Sequence, residues 1–225
     1  IQFEDLPVRY AREYAINFAC NSGNQDCLTD AFTLVSLFAN NDQKIPNGLE
    51  LLYCAGFRGN GKQDEFVKVW NKMQNTSDVT FKDTLISALG CTDNPTLLTD
   101  YLHTSVGSGN SVRYTQVQRR AVFTSTLQSL TGLPIITDFI KSYYTNMMSS
   151  YSWSLQQILT EVANKIKTRE DQNFFIGFLL NFENLSNDAF RALSLITYDN
   201  LAKQDLPQNA AQMRALKGLN PGIGN

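Results

Sequence analysis

Apolar residues in this chain recur at three-and-four spacing, and turn formers interrupt them about every 15 to 20 residues. Ile136, Phe139, Ile140, Tyr143, Tyr144 and Met147 fall on one helical face, and so do Phe81, Leu85, Ala88 and Leu89. Between such stretches come NSGN, IPNG, QNTSD, TDNP, SVGSGN, TGLP and NLSND, which are breaks of helix rather than of strand. The pattern predicts about ten or eleven helices and no strand. Many short helices without a heptad seam suggest αα-hairpins stacked into a superhelical solenoid of the HEAT or armadillo kind, so the fold class is all-α.

Local signals mark some of the ends. Asp78 suits an N-cap, with Gly90 closing the same helix, and Thr168-Arg169-Glu170-Asp171 reads as a variant capping box ahead of Phe174 and Phe175. Asp64 and Glu65 stand at a helix start, where the macrodipole favours carboxylates.

Cys20 and Cys27 bracket six small or polar residues between two helical segments. On one continuous helix, seven residues would separate the Cα atoms by roughly 10 Å, too far for a disulfide, which needs less than about 7 Å. Asn21, Ser22, Gly23 and Asn24 are turn formers, so the chain reverses here and pairing becomes possible. Cys54 and Cys91 flank one whole helix, around Phe66 to Met73, and a bridge between them would tie alternate helices of a stacked array. Four cysteines, no C-x-x-C and a single histidine, His103, fit two disulfides better than a metal site. Buried free thiols are the alternative. Oxidised cysteines imply a secretory or extracellular setting.

With 225 residues and 43% hydrophobic composition the chain can bury a sizeable core, and its net charge of −2 argues against a nucleic-acid partner. Arg119 and Arg120, the nearest approach to a basic cluster, read as a solvated helix face. Asn75-Thr76-Ser77 and Asn184-Leu185-Ser186 match the N-glycosylation pattern and fall in expected turns. One histidine cannot supply both ligands of a H-E-x-x-H helix, and GNGKQ at 59–63 is an incomplete phosphate loop better read as a helix end and turn. His103 is therefore read as structural, with no catalytic, cofactor-binding or metal residue assigned. The opening IQFEDLPVRY has neither an initiator Met nor a signal-peptide core, so the chain is expected to be a fragment of a larger exported polypeptide.

LELLYCAGFRGNGKQDEFVKVWNKMQN, followed by LISALGCTDNPTLLTDYL, resembles the C-terminal helical domain of the aminopeptidase N family of zinc aminopeptidases. The carrying residues are Tyr53-Cys54, Gly59 to Gly61, Phe66 to Trp70, and Ala88-Leu89-Gly90-Cys91. REYAINFACNSGNQDCLTDA is similar to that family's A-C-x(6)-C turn, and SVRYTQVQRRAVF to a later Arg-x-x-Gln stretch; the likeness runs from about residue 8 to 200, with a flavour of insect midgut members.

The resemblance implies disulfides Cys20–Cys27 and Cys54–Cys91. It also implies a domain, residues 1–205 with a polar tail at 206–225, that closes over a catalytic domain and encloses a peptide-sized cavity. The zinc, the H-E-x-x-H and the G-A-M-E-N loop of such enzymes would lie on upstream sequence. Further expectations are attachment to the extracellular face of the plasma membrane, through a glycolipid anchor that Gly222 to Asn225 could precede, and peptide substrates. A homodimer and a bacterial pore-forming toxin as partner complete them.

Overall fold

The computed structural model describes residues 6–46, 48–58, 63–107, 114–183 and 185–218, with side chains described from 10 to 203. Among these the chain is all-helical, with eleven helices and no strand. The GNGK stretch at 59–62, expected as a helix end and turn, Asn184 and the closing residues from 219 lie outside the described residues. The chain divides into two compact units, 1–152 and 153–225.

The first unit holds α1 (Leu6–Asn21), α2 (Gln25–Asn41), α3 (Leu51–Phe57), α4 (Gln63–Asn75), α5 (Val79–Leu89), α6 (Pro95–His103), α7 (Gln116–Thr126) and α8 (Gly132–Tyr151). Side-chain caps set four of these starts. Asn24, Asp78, Asn94 and Thr115 each accept from a backbone N–H of the first turn, and Pro95 follows Asn94 at the first helical position. Helices two apart in sequence pack together: α1 on α3, α3 on α5, α5 on α7, and likewise α2 on α4 and α6 on α8. The apolar stripes read from the sequence are the surfaces of this packing, with Leu85, Ala88, Leu89, Ile136, Phe139, Ile140 and Met147 buried.

Aromatic side chains fill the spaces between helices. Phe38, Tyr53 and Phe81 meet edge-on across α2, α3 and α5, and Phe57, Phe66, Trp70 and Tyr101 form a second cluster across α3, α4 and α6. Edge-to-face rings add about 0.5–1.5 kcal/mol per pair beyond burial. Two buried hydroxyls of these clusters find backbone partners: Tyr53 Oη accepts from the Ile45 N–H at 2.9 Å, and Tyr101 Oη donates to the Ile86 carbonyl at 2.7 Å.

Gly90 does close α5, but for a reason the sequence did not show. Its φ is −68°, an ordinary right-handed value, so no left-handed turn demands glycine. Instead α7 passes so close that a Cβ at position 90 would lie 2.0 Å from Ser125 Oγ and 2.7 Å from the Ser125 carbonyl carbon. A Cβ at position 132 would likewise lie 2.0 Å from the Thr126 carbonyl oxygen.

The second unit holds α9 (Leu155–Ala163), α10 (Arg169–Leu180) and α11 (Asn187–Gly218). Ser154 and Gln157 form a reciprocal capping box. Thr168 caps α10 as read, accepting from the Asp171 N–H, while the Asp171 carboxylate accepts the Thr168 hydroxyl proton. Ile158, Leu159, Val162, Phe175, Leu179 and Leu193 make the core, and buried Gln172 donates to Thr197 Oγ1 at 3.2 Å. α11 runs through position 206, where the sequence suggested that a tail begins.

Candidate functional site

Both pairs of cysteines are bridged. Cys20 closes on Cys27 across the turn between α1 and α2, and Cys54, midway along α3, closes on Cys91 just after α5; each pair has its Cα atoms 5.2 Å apart. The turn bends as its residues require. Gly23 takes φ 79°, and Asn24 Oδ1 receives the Cys27 N–H at 3.0 Å.

These staples border a cleft of about 520 Å³ in the first unit. α1 contributes Asn17, Cys20 and Asn21; α3 contributes Leu51, Cys54 and Ala55, with Glu50 and Arg58 at its ends; α5 contributes Thr80, Asp83, Thr84, Ser87 and Ala88. Gln128 reaches in from beyond α7, its amide oxygen 3.7 Å from both Sγ atoms of the Cys54–Cys91 bridge.

Arg58 is the cleft's cation. Its Nη1 donates to Asn21 Oδ1 at 2.8 Å and to the Cys20 carbonyl at 3.5 Å, so the guanidinium braces α3 against the carbonyl end of α1. Burial lowers its pKa from the ordinary guanidinium value, and the Asp93 carboxylate opposes that fall. On the opposite wall Asp83 Oδ1 accepts from the buried Gln118 amide at 2.8 Å. Gln118 in turn completes a capping box with Thr115. The T-x-x-Q spacing was the signal for that box, whereas nothing local announced the reach to Asp83, 35 residues away. With one cation, two carboxylates, amides and hydroxyls on its walls, the cleft suits a polar chain such as a peptide backbone.

The remaining sequence candidates fall elsewhere. His103 ends α6, with its ring edge-on to Phe139 at 5.1 Å and to Tyr143 at 4.9 Å, a packing role. Asn75 is exposed at the last residue of α4, where its Nδ2 donates to the Asn71 carbonyl at 2.8 Å. The solvated reading of Arg119 and Arg120 is corrected: both are half-buried on α7 and bound to backbone carbonyls. Arg119 donates to Ser105 O at 2.6 Å; Arg120 donates to Tyr151 O at 2.7 Å and to Ser152 O at 3.3 Å, at the carbonyl end of α8. Guanidinium groups satisfy such unpaired helix-end carbonyls well.

Among the described residues no group of three or more His, Cys, Asp or Glu is arranged to hold a metal ion. Since all four cysteines are bridged and His103 is packed among rings, the donor set does not fit a zinc ion. No helix among the described residues is long and apolar enough to cross a membrane.

Residues 2–201 match the ERAP1-like C-terminal domain family. The chain belongs to that family. Aminopeptidase N of Plutella xylostella is 27% identical over 220 residues, which are 94% of this chain and 23% of the relative. Aminopeptidase N of Bos taurus is 27% identical over 190 residues, 78% of this chain and 19% of that protein. The thyrotropin-releasing hormone-degrading ectoenzyme of Rattus norvegicus is 34% identical over 99 residues, 43% of this chain and 9% of the enzyme. The chain thus spans less than a quarter of the length of each, and it is a C-terminal domain of the aminopeptidase N type.

Proposed function

We propose that this chain is the non-catalytic closing domain of a zinc aminopeptidase that removes N-terminal residues from peptides, the catalytic domain lying upstream in the same polypeptide. The family match over residues 2–201 carries the reading. On it, the helices continue a superhelical αα-array over residues 1–205, and the polar cleft beside Arg58 forms part of the wall of an enclosed peptide cavity. Zinc belongs to the upstream part, since the donors of this chain do not fit it. The two disulfides and the exposed sequon at Asn75 suit an extracellular, glycosylated ectoenzyme. Asn184 is the second proposed glycan site, and a glycolipid anchor following the C-terminal region would hold the enzyme to the membrane.

The test is sequencing of the transcript upstream of Ile1, followed by expression of the whole reading frame. The expected protein carries H-E-x-x-H and G-A-M-E-N, cleaves aminoacyl p-nitroanilides, and loses that activity to a zinc chelator. A reading frame that starts just before Ile1, or a full-length product whose peptidase activity survives chelation, overturns the proposal.

A second reading is a binding surface. The exposed Asn75 favours it, because a glycan there would stand clear of the helix. A bacterial pore-forming toxin is the partner it would engage, by the glycan or by the protein beneath, and a homodimer would double the sites. Toxin binding unchanged by Asn75→Gln and Asn184→Gln would exclude the glycan form of this reading.

A further inference from the structure

α1 is amphipathic in an unexpected direction. Ile16 and Cys20 face the body of the first unit, where Cys20 is 1% exposed, yet Tyr10, Tyr14 and Phe18 stand 64%, 74% and 68% exposed. These three recur at every fourth position, and Ala11 and Ala15 are exposed beside them. At 3.6 residues per turn the five sweep an arc of about 140°, as wide as the stripe of a core-facing helix, which is about 100° or more. Arg12, Glu13 and Asn17 fall outside the arc, so it carries no charge. Water is a poor partner for such a face.

Two observations select its occupant. First, fully exposed aromatic side chains present about 150–250 Å² each, so three at these exposures offer roughly 300–500 Å². A stable interface between two copies takes about 800 Å² from each partner, whereas one packed helix needs only such a stripe. Second, the chain matches a C-terminal domain and covers 23% of its Plutella xylostella relative, so the rest of such a protein lies largely on the N-terminal side, and α1 is the helix the chain enters through. Within the unit each helix packs on one two places away, so α1 lacks a neighbour on its entering side among the described residues.

We propose that the uncharged face of α1 formed by Tyr10, Ala11, Tyr14, Ala15 and Phe18 is the seat of an amphipathic helix that directly precedes this chain in the full-length polypeptide. That helix would carry apolar residues at three-and-four spacing and end within roughly 30 residues of Ile1, the span of one helix and its turn. The inference rests on the reading of this chain as the C-terminal part of a longer aminopeptidase.

Site-specific photo-crosslinking in the full-length protein tests it, with a benzophenone amino acid replacing Tyr14 in one variant and Phe18 in another. The expected product is an intramolecular link to the segment just upstream of Ile1, with a yield at least about tenfold that of the same protein in denaturant, since a packed neighbour is held at high effective concentration. A link to a distant part of the polypeptide, a product of doubled mass, or no link above the denatured control overturns the proposal. Peptidase activity is measured on the same preparation. Absence of activity with the expected link sinks the enzyme reading alone, and activity with a link elsewhere sinks the docking proposal alone.

Discussion

Removing the two disulfides one at a time measures what each staple contributes, and the chain connectivity sets the ratio in advance. Cys54–Cys91 spans 37 residues and Cys20–Cys27 spans 7. In the chain-entropy model these loops restrict the unfolded chain by about 4 and about 2.5 kcal/mol respectively. For a protein of this size each kcal/mol moves the melting midpoint by about 2–4 °C, so the Cys54→Ala/Cys91→Ala variant should melt roughly 8–16 °C below the parent. The Cys20→Ala/Cys27→Ala variant should fall by roughly 5–10 °C.

Burial leaves that contrast unchanged. Cys91 is 0% exposed and Cys20 1%, while their partners are half-buried, so each variant also loses one buried sulfur and neither gains a new packing defect the other lacks. The assay is thermal unfolding by circular dichroism without reductant, repeated on the parent in dithiothreitol, which should approach the sum of the two losses. Equal shifts in the two variants, or a larger one for the short loop, would refute the loop-entropy reasoning and place the stabilisation in native-state contacts.

Other substitutions probe the packing. Gly90→Ala should destabilise by about 2–3 kcal/mol or more through overpacking, because its Cβ would meet Ser125 Oγ at 2.0 Å. Gly177→Ala, in α10 with nothing within 4 Å, should instead stabilise, by about 0.5–1 kcal/mol; urea titration of both variants checks the opposite signs. Arg120→Met should lose about 1.5–3 kcal/mol per charged hydrogen bond broken and raise hydrogen exchange at the α8 terminus, where the guanidinium binds Tyr151 O and Ser152 O.

Burial raises the Tyr114 pKa to about 12, with the neighbouring Thr104 hydroxyl and the Arg119 charge countering part of the rise. A raised tyrosine pKa means that the unfolded chain deprotonates first. Its contribution is therefore intact below the unfolded value of about 10 and is lost as pH climbs toward 12, by roughly 3 kcal/mol in all. Tyr114→Phe should flatten that alkaline slope in denaturant titrations at stepped pH. Finally, Asn75→Gln should remove one glycan's mass from the secreted protein and shift its melting midpoint little, as the side chain is exposed; no change in mass on electrophoresis would exclude Asn75 as an acceptor.

What the sequence determined by itself is what operates within a turn or two of chain. Asp78, Thr168 and the apolar stripe from Ile136 to Met147 act on backbone and side chains three or four residues away, so their spacing carried the helical class and many of the helix ends. The Cys20–Cys27 hairpin was legible for the same reason, since turn formers bring two nearby sulfurs together. Family resemblance extended this to Cys54–Cys91 and to the kind of protein the domain belongs to.

Only the tertiary structure decided the rest. It assigned Gly90 to a close helix crossing rather than a left-handed cap, moved Arg119 and Arg120 from solvent onto carbonyl ends, and joined Gln118 to Asp83 on one wall of a cleft. It also left the aromatic face of α1, with Tyr10, Tyr14 and Phe18, exposed among the described residues. The physical reason is common to all four. Spacing within one helix says which residues share a face, but the partner of that face stands on another element tens of residues away, and only packing selects it.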